Sequence, residues 1–92
     1  MIVHFRDDET ETLFKTGHSR KFNSIEKVAK RKLDAVNAAV ALNDLLVPPG
    51  NRLEALKGDR KGQHSIRVND QYRVCLRWTE EGVKDVEITD YH

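Results

Sequence analysis

The amino-acid sequence predicts an α+β domain in which an N-terminal strand and two helices pack on a small, mainly antiparallel β-sheet. Apolar residues recur every three or four positions across residues 23–44, which is the pattern of a helix with one buried side. Apolar and polar residues alternate in three short runs across residues 65–91, as in half-buried strands. Pro48-Pro49-Gly50 separates the two regions and cannot continue a helix, so the chain is expected to change there from helices to sheet.

The N-terminal residues are expected to form a short strand and a short helix. A strand from Ile2 to Phe5 would alternate between two sides, which puts these two residues on opposite sides. Asp7 or Asp8 can cap the helix that follows, because a carboxylate accepts hydrogen bonds from the free N–H groups of a first turn. Gly17 is a suitable left-handed residue for its end.

The longest helix is expected to begin at Asn23 and to end between Leu42 and Asp44. Asn23 and Glu26 have the spacing of a capping box, although Ser24 competes for the cap position. The apolar residues of this helix form one stripe that would pack against the sheet. They are Ile25, Val28, Ala29, Leu33, Val36, Ala39 and Val40.

The sheet is expected to come from the second half of the chain. Residues 52–56 are either a short strand or an extended connection, and residues 58–62 are a loop with a glycine at each end. Three strands follow at 65–69, 72–78 and 83–91, and they are expected to pair in an antiparallel meander because they succeed one another closely. Residues 1–92 would then form a single domain.

Composition limits the class of protein. The chain of 92 residues has 38% apolar and 34% charged residues, which is typical of one soluble globular domain. It has no apolar run of the roughly 18–20 residues needed to cross a membrane and no signal peptide, so we expect a cytoplasmic protein without a membrane partner. Cys75 is the only cysteine and the histidines lack metal-ligand spacing, so neither a disulfide, a metal site nor a cofactor is expected.

Charge is segregated along the chain although the net charge is only +1. Residues 15–77 carry 14 of the 16 basic side chains and 6 of the 15 acidic ones, whereas residues 1–14 and 78–92 are net acidic. A sheet surface with this much positive charge is suited to a polyanion, although single helix lysines are more often only solvated. The candidate polyanion-binding residues are Arg52, Arg60, Lys61, Arg67 and Arg77, with Arg20 and Lys21 in the connector between the helices.

The run RLEALKGDRKGQHSIRVNDQYRVCLRW, at residues 52–78, contains the pattern L-x-G-x-R-x-G-x-x-S-I-R-V-N-x-Q-x-R, and Asp90-Tyr91-His92 follows at the end of the sequence. This combination resembles the HigB toxins, a branch of the RelE superfamily of toxin–antitoxin systems. The resemblance implies a RelE-like fold and a ribosome-dependent, metal-independent endoribonuclease that cuts mRNA in the ribosomal A site. It also implies a cognate HigA-like antitoxin with a helix-turn-helix domain, which neutralises the toxin and through which alone the pair would bind DNA.

The chemistry of RNA cleavage uses residue types that this sequence contains. The RNA 2′-hydroxyl can attack the adjacent phosphate, so a protein has to move protons and stabilise charge on that phosphate. The resemblance places the activity on Lys57, Arg73, Asp90, Tyr91 and His92. Arg73 would stabilise phosphate charge, and Lys57 would do the same or move a proton. His92 is a natural acid or base, Tyr91 would hydrogen-bond or stack on a base, and Asp90 would orient His92 or bind RNA.

Glu54 departs from the family pattern, because some members have a histidine at this position. Either Glu54 is a general base, or its work shifts to Lys57 and His92, or the protein is a slower ribonuclease. The alternative function is a non-catalytic inhibitor that occupies the ribosome or an RNA without cutting. Structural roles also remain open for Arg73, as a cross-strand partner of a carboxylate, and for Asp90, as a salt-bridge acceptor. A third interpretation is direct DNA binding by this chain, in which the basic long helix would touch phosphate, but no recognition-helix pattern supports the reading of bases.

Overall fold

The computed structural model describes residues 1–90, and Tyr91 and His92 lie outside the described residues. Its helices are α1 (Asp8–Thr16) and α2 (Glu26–Ala38), and its strands are β1 (Glu54–Ala55), β2 (His64–Arg67), β3 (Arg73–Thr79) and β4 (Gly82–Thr89). The strands form one sheet in the order β1-β2-β3-β4, and every neighbouring pair is antiparallel. The predicted α+β class and the antiparallel meander are therefore confirmed.

The N-terminal segment lies along the free side of β4 but does not alternate as predicted. Ile2 pairs with Val83 and Phe5 pairs with Val86, as two isolated parallel bridges. Ile2 and Phe5 both pack against the core, so the prediction of opposite sides was wrong. The reason lies in β4, where Asp85 is left-handed with φ of 54° and interrupts the alternation of side chains along the strand. Three residues therefore separate Val83 from Val86, and the N-terminal segment also advances three residues between its two bridges.

The ends of α1 agree with the sequence. The Asp7 carboxylate accepts a hydrogen bond from the backbone N–H of Thr10 at 3.0 Å, which identifies Asp7 rather than Asp8 as the cap. Gly17 is left-handed with φ of 80°, and its N–H donates to the Leu13 carbonyl at 2.8 Å. Both predicted boundaries of this helix are confirmed.

The ends of α2 differ from the prediction. Residues Asn23–Ile25 form a 3-10 turn, and the Glu26 carboxylate accepts from the Ser19 N–H at 2.9 Å instead of completing a capping box. The helix ends at Ala38, and a separate 3-10 turn covers Leu42–Leu46. The Asp44 carboxylate accepts from the N–H groups of residues 40 and 41, which stabilises the break and leaves Val40 89% exposed rather than on the buried stripe.

The core lies between the helices and one face of the sheet. Helix α2 contributes Ala29, Leu33 and Val36, all fully buried. From the sheet come Ile66, Val74, Leu76, Val83, Val86 and Ile88. Tyr72 and Trp78 are partly buried against this core, as their alternation with core residues predicts. None of the helices within residues 1–90 is long and apolar enough to cross a membrane.

A buried hydroxyl joins α1 to β4. The Thr10 side chain is fully buried, and its Oγ1 accepts a hydrogen bond from the backbone N–H of Ile88 at 3.0 Å. Thr10 therefore provides an acceptor for a backbone N–H of β4, two residues after Val86, where the last parallel bridge of the N-terminal segment lies. This contact fixes the C-terminal part of β4, which leads into Asp90.

We expect Thr10→Val to destabilise the protein, because the buried Ile88 N–H would lose its acceptor while the volume of the side chain hardly changes. The expected loss is about 1–3 kcal/mol in the free energy of unfolding, measured by urea denaturation. Thr12→Val, at an exposed position of the same helix, is the matched control. Equal stability of the two variants would contradict the role assigned to the hydroxyl.

Candidate nucleic-acid interface

The sheet face that points away from α1 and α2, which we call the outer face, carries the candidate site. In one row across the strands, Glu54 pairs with Ser65, Ser65 with Cys75, and Cys75 with Glu87. In the next row, Arg67 pairs with Arg73 and Arg73 with Thr89. Residues directly opposite on antiparallel strands project to the same face. The outer face therefore holds Glu54, Arg67 and Arg73 together, in neighbouring rows about 7 Å apart along the strands.

Arg73 is held by backbone carbonyl groups of the β2–β3 turn. Its Nη1 donates to the carbonyl oxygens of Asn69 at 2.7 Å and Tyr72 at 3.1 Å. Its cross-strand neighbours are Arg67 and Thr89, and neither is a carboxylate. Two arginines opposite each other repel, so this end of the sheet favours an anion between them.

A carboxylate of the turn already lies beside these arginines. Asp70 Oδ1 accepts a hydrogen bond from Nη2 of Arg67. This hydrogen bond, and then the charge of Arg67, lower the pKa of Asp70, with smaller contributions from the charges of Arg52 and Arg73. Three guanidinium groups thus act on one fully exposed carboxylate. We call Arg52, Arg67 and Arg73 the arginine cluster.

The positive charge continues onto α2 through a residue that the sequence did not single out. Burial, followed by the charges of Arg31 and Arg67, lowers the pKa of Lys32. Its Nζ donates to Oδ1 of the buried Asn51 at 2.5 Å. Lys32 therefore belongs to the same electrostatic neighbourhood as the arginine cluster. Its helical spacing gave no signal of this, because the contact depends on how α2 crosses the chain at residue 51.

Of the predicted catalytic residues other than Arg73, Glu54 lies on this face, and Lys57 and Asp90 follow strands of the sheet. Glu54 is exposed on β1, and Lys57 is exposed just before the 3-10 turn Gly58–Arg60. Asp90 directly follows β4, and its Oδ2 accepts from Nε2 of Gln71 at 3.2 Å. Asp90 and Arg73 therefore lie at the same end of the sheet, whereas Tyr91 and His92 lie outside the described residues.

The other predicted polyanion-binding residues fall into two groups. Arg60 contacts Glu87 at 2.7 Å and Arg77 contacts Asp85 at 3.2 Å, so carboxylates of β4 offset both charges. Lys61 is exposed beside Arg60. The connector residues Arg20 and Lys21 are also exposed. This connector reaches the arginine end of the sheet, because Phe22 packs edge-on against Tyr72 with 5.7 Å between ring centroids.

Comparisons with known proteins identify the family. Residues 3–92 match the family model described as the RelE-like toxin of the type II toxin–antitoxin system HigB. The chain is 42% identical over 82 residues to Toxin HigB-1 of Vibrio cholerae serotype O1, covering 87% of this chain and 86% of that protein. This chain belongs to the HigB family of RelE-like toxins.

Other comparisons agree with this family and its fold. A protein of Haemophilus influenzae described as uncharacterized is 38% identical over 85 residues, which cover 90% of this chain and 84% of that one. Two structures of the YoeB–YefM complex from Staphylococcus aureus are similar over 100% of this chain and 95% of theirs, with TM-scores of 0.63 and 0.64. Their sequence identity is 21%, so they show the RelE-like fold alone. The HigB and RelE-like resemblance of the sequence is confirmed.

Cys75 lies at the centre of the outer face of this HigB-family toxin but is not a nucleophile. It is fully buried, and burial raises the pKa of its thiol to about 11. Glu87 acts in the same direction, whereas the nearby arginines oppose it. A protonated, inaccessible thiol does not attack. Within residues 1–90, no group of three or more histidine, cysteine, aspartate or glutamate side chains could hold a metal ion.

We expect Cys75 to resist modification by DTNB in the folded protein near neutral pH, because the thiol is both buried and protonated. The release of thionitrobenzoate, followed by absorbance, should be slow in buffer and fast in urea. The unfolded protein is its own control, since the chain has one cysteine. Equal rates in both conditions would show that the outer face is open at its centre.

Proposed function

We propose that this toxin is a ribosome-dependent endoribonuclease that cuts mRNA without a metal ion and so inhibits translation. The observation that carries the proposal is the arginine cluster on the outer face, adjacent to the end of β4 that leads into Asp90. Membership of the HigB family supports the same activity. A phosphodiester is an anion that would lie between these guanidinium groups, in place of or beside the Asp70 carboxylate.

In this mechanism the RNA supplies its own nucleophile, the 2′-hydroxyl. Arg73 stabilises the charge that develops on the phosphate, and its fixed position lowers the cost of reorganisation. Lys57 is a second cation for the phosphate or moves a proton. His92 exchanges protons with the 2′-hydroxyl or the leaving 5′-oxygen, while Tyr91 and Asp90 position RNA and His92.

Ribosome dependence has a physical reason. Cleavage requires the 2′-oxygen, the phosphorus and the leaving oxygen to lie nearly in line, which flexible single-stranded RNA rarely adopts. A ribosome that holds mRNA in its A site would supply this geometry, so the toxin needs only modest proton-transfer groups. The basic connector and the arginine cluster would also contact ribosomal RNA.

The partners we propose are a HigA-like antitoxin with a helix-turn-helix domain and the translating ribosome, both in the cytoplasm. The support for an antitoxin is that the family is defined by type II toxin–antitoxin systems. DNA binding would come through the antitoxin, since the described helices of this chain pack against its own core.

A non-catalytic inhibitor is the second candidate function, and Glu54 is the observation that favours it. Its carboxylate lies on the outer face in the row next to Arg73. Negative charge there repels a phosphate and weakens cleavage unless Glu54 acts as a general base. Such a protein would occupy the A site and block translation while leaving mRNA intact.

Primer extension on an mRNA in a reconstituted translation reaction tests the two candidates. We expect discrete cuts within translated codons that require ribosomes, and a reduction of about 10²–10³-fold in rate for Arg73→Ala, because one donor to the phosphate is lost. Lys57→Ala and His92→Ala should also abolish most cutting. Lys84→Ala, which removes a cation paired with Glu81 at the other end of β4, is the control. Blocked translation with uncut mRNA would refute the nuclease and leave the inhibitor.

We expect Asp70→Asn to strengthen binding of a short single-stranded RNA several-fold, because a phosphate no longer competes with a carboxylate for Arg67. One additional phosphate contact should steepen the dependence of log K on log salt by about 0.7. Fluorescence anisotropy over a range of KCl concentrations measures both quantities. Glu80→Gln, in the distant β3–β4 turn, removes the same charge and should change neither. Identical curves for Asp70→Asn and the wild type would exclude the arginine cluster as a phosphate site.

A further inference from the structure

An ion pair crosses the outer face from the β1–β2 loop to β4. Arg60 Nη1 donates to Oε1 of Glu87 at 2.7 Å and to Oε1 of Gln63 at 3.2 Å. Arg6 approaches the same Glu87 oxygen at 3.8 Å. The Glu87 side chain is 14% exposed and that of Arg60 25% exposed, so water screens this pair less than the pairs on the protein surface.

Backbone hydrogen bonds connect Arg60 to Lys57. The Arg60 N–H donates to the Lys57 carbonyl at 3.2 Å, and the Gln63 N–H donates to the Arg60 carbonyl at 3.0 Å. Gln63 in turn accepts from Leu56 at 2.9 Å through its carbonyl, which extends the β1–β2 hairpin. Arg60 is therefore one turn from Lys57, and fixing Arg60 fixes the backbone on which Lys57 lies.

Within residues 1–90, the loop at residues 57–62 contributes no side chain to the core that would hold it in place. Gly58 and Gly62 adopt left-handed conformations with φ of 63° and 92°. Gly62 also approaches Arg77, since a Cβ on the glycine would lie 2.5 Å from Nη1 of Arg77. The loop therefore rests on guanidinium groups that carboxylates of β4 hold in place.

We propose that Arg60 and Glu87 are positioning residues, which hold the β1–β2 loop so that Lys57 is set for its part in RNA cleavage. This inference rests on the proposed function. It assigns a role to Glu87, and it makes Arg60 a support of the site rather than a contact of the RNA. Misplacing a catalytic group by about 1 Å costs as much as 10²-fold in rate, so a small shift of this loop is enough to impair the reaction.

The two possible roles of Arg60, binding RNA or positioning the loop, predict different effects of the substitution Glu87→Gln. If Arg60 binds RNA, then Glu87 competes with the phosphate, and Glu87→Gln leaves binding unchanged or improves it. If Arg60 positions the loop, then Glu87→Gln releases it and slows cleavage, although the change removes negative charge from an RNA-binding face. Electrostatic attraction alone cannot produce that loss.

The test is single-turnover cleavage of ribosome-bound mRNA over a range of toxin concentrations, which separates the rate at saturation from the half-saturating concentration. We expect Arg60→Ala and Glu87→Gln each to lower the saturated rate about tenfold or more, with half-saturation little changed. The double variant should be little worse than either single variant, because both remove the contact between Arg60 and Glu87. The exchanged pair Arg60→Glu with Glu87→Arg should recover part of the activity lost in Arg60→Glu alone.

Hydrogen exchange of the intact toxin gives a second readout that does not depend on cleavage. Amides of residues 58–63 should exchange faster in Arg60→Ala and Glu87→Gln, while those of β3 and α2 keep the wild-type rates. Glu81→Gln, which breaks the exposed pair with Lys84, is the matched control and should alter neither cleavage nor loop exchange.

These outcomes distinguish the inference from the proposed function. A wild-type toxin that leaves mRNA uncut refutes the nuclease and with it the catalytic part of the inference, while loop exchange still decides whether the ion pair anchors the loop. If the wild type cuts mRNA and Glu87→Gln is fully active, the positioning role of Arg60 and Glu87 is overturned. A rise in half-saturation for Arg60→Ala at an unchanged saturated rate would instead identify Arg60 as an RNA contact.

Discussion

The register between β2 and β3 is the constraint on which the rest of this structure depends. Ile66 opposite Val74 fills the core, and the neighbouring pair, Arg67 opposite Arg73, lies on the outer face. Because strand side chains alternate with a period of two, a slip by one residue would bury the arginines and expose the core. The hydrophobic effect that sets this register therefore also places two like charges opposite each other.

That like-charge pair works against folding but is suited to binding. Directly opposite cations destabilise a sheet, and the chain reduces the cost locally through the Asp70 carboxylate and through the carbonyl oxygens that Arg73 contacts. An unfavourable local arrangement of this kind, in which like charges face each other, is expected where a protein binds a ligand. In this HigB-family toxin the ligand we propose is an RNA phosphate.

The outer face divides into two parts with different electrostatics. At the end near the β2–β3 turn, the three guanidinium groups of the arginine cluster outnumber the described carboxylates, those of Asp70 and Asp90. Towards the middle, Glu87 and Asp85 offset the charges of Arg60 and Arg77, and Cys75 lies buried among them. The basic residues of the sequence are therefore not all equally able to bind an anion. Some arginines are available to an external anion, while others connect the loop to the sheet.

The sequence by itself determined the fold class, the ends of α1 to within a residue, the strand meander and the family, because these depend on short-range chemistry: the period of apolar residues, turn residues, and a motif within a continuous stretch. It also named Lys57, Arg73 and Asp90, through the motif. It failed at the end of α2, where the Asp44 side chain favours a new turn over continued helix, and along Ile2 to Phe5, where a left-handed Asp85 far along the chain sets the spacing. Only the tertiary structure showed which carboxylate lies beside each cation. Arg60 has Glu87 beside it, whereas the three arginines of the cluster share the carboxylate of Asp70. The physical reason is that electrostatic partners are chosen by distance across strands and loops, and that distance is fixed only when the core has set the register.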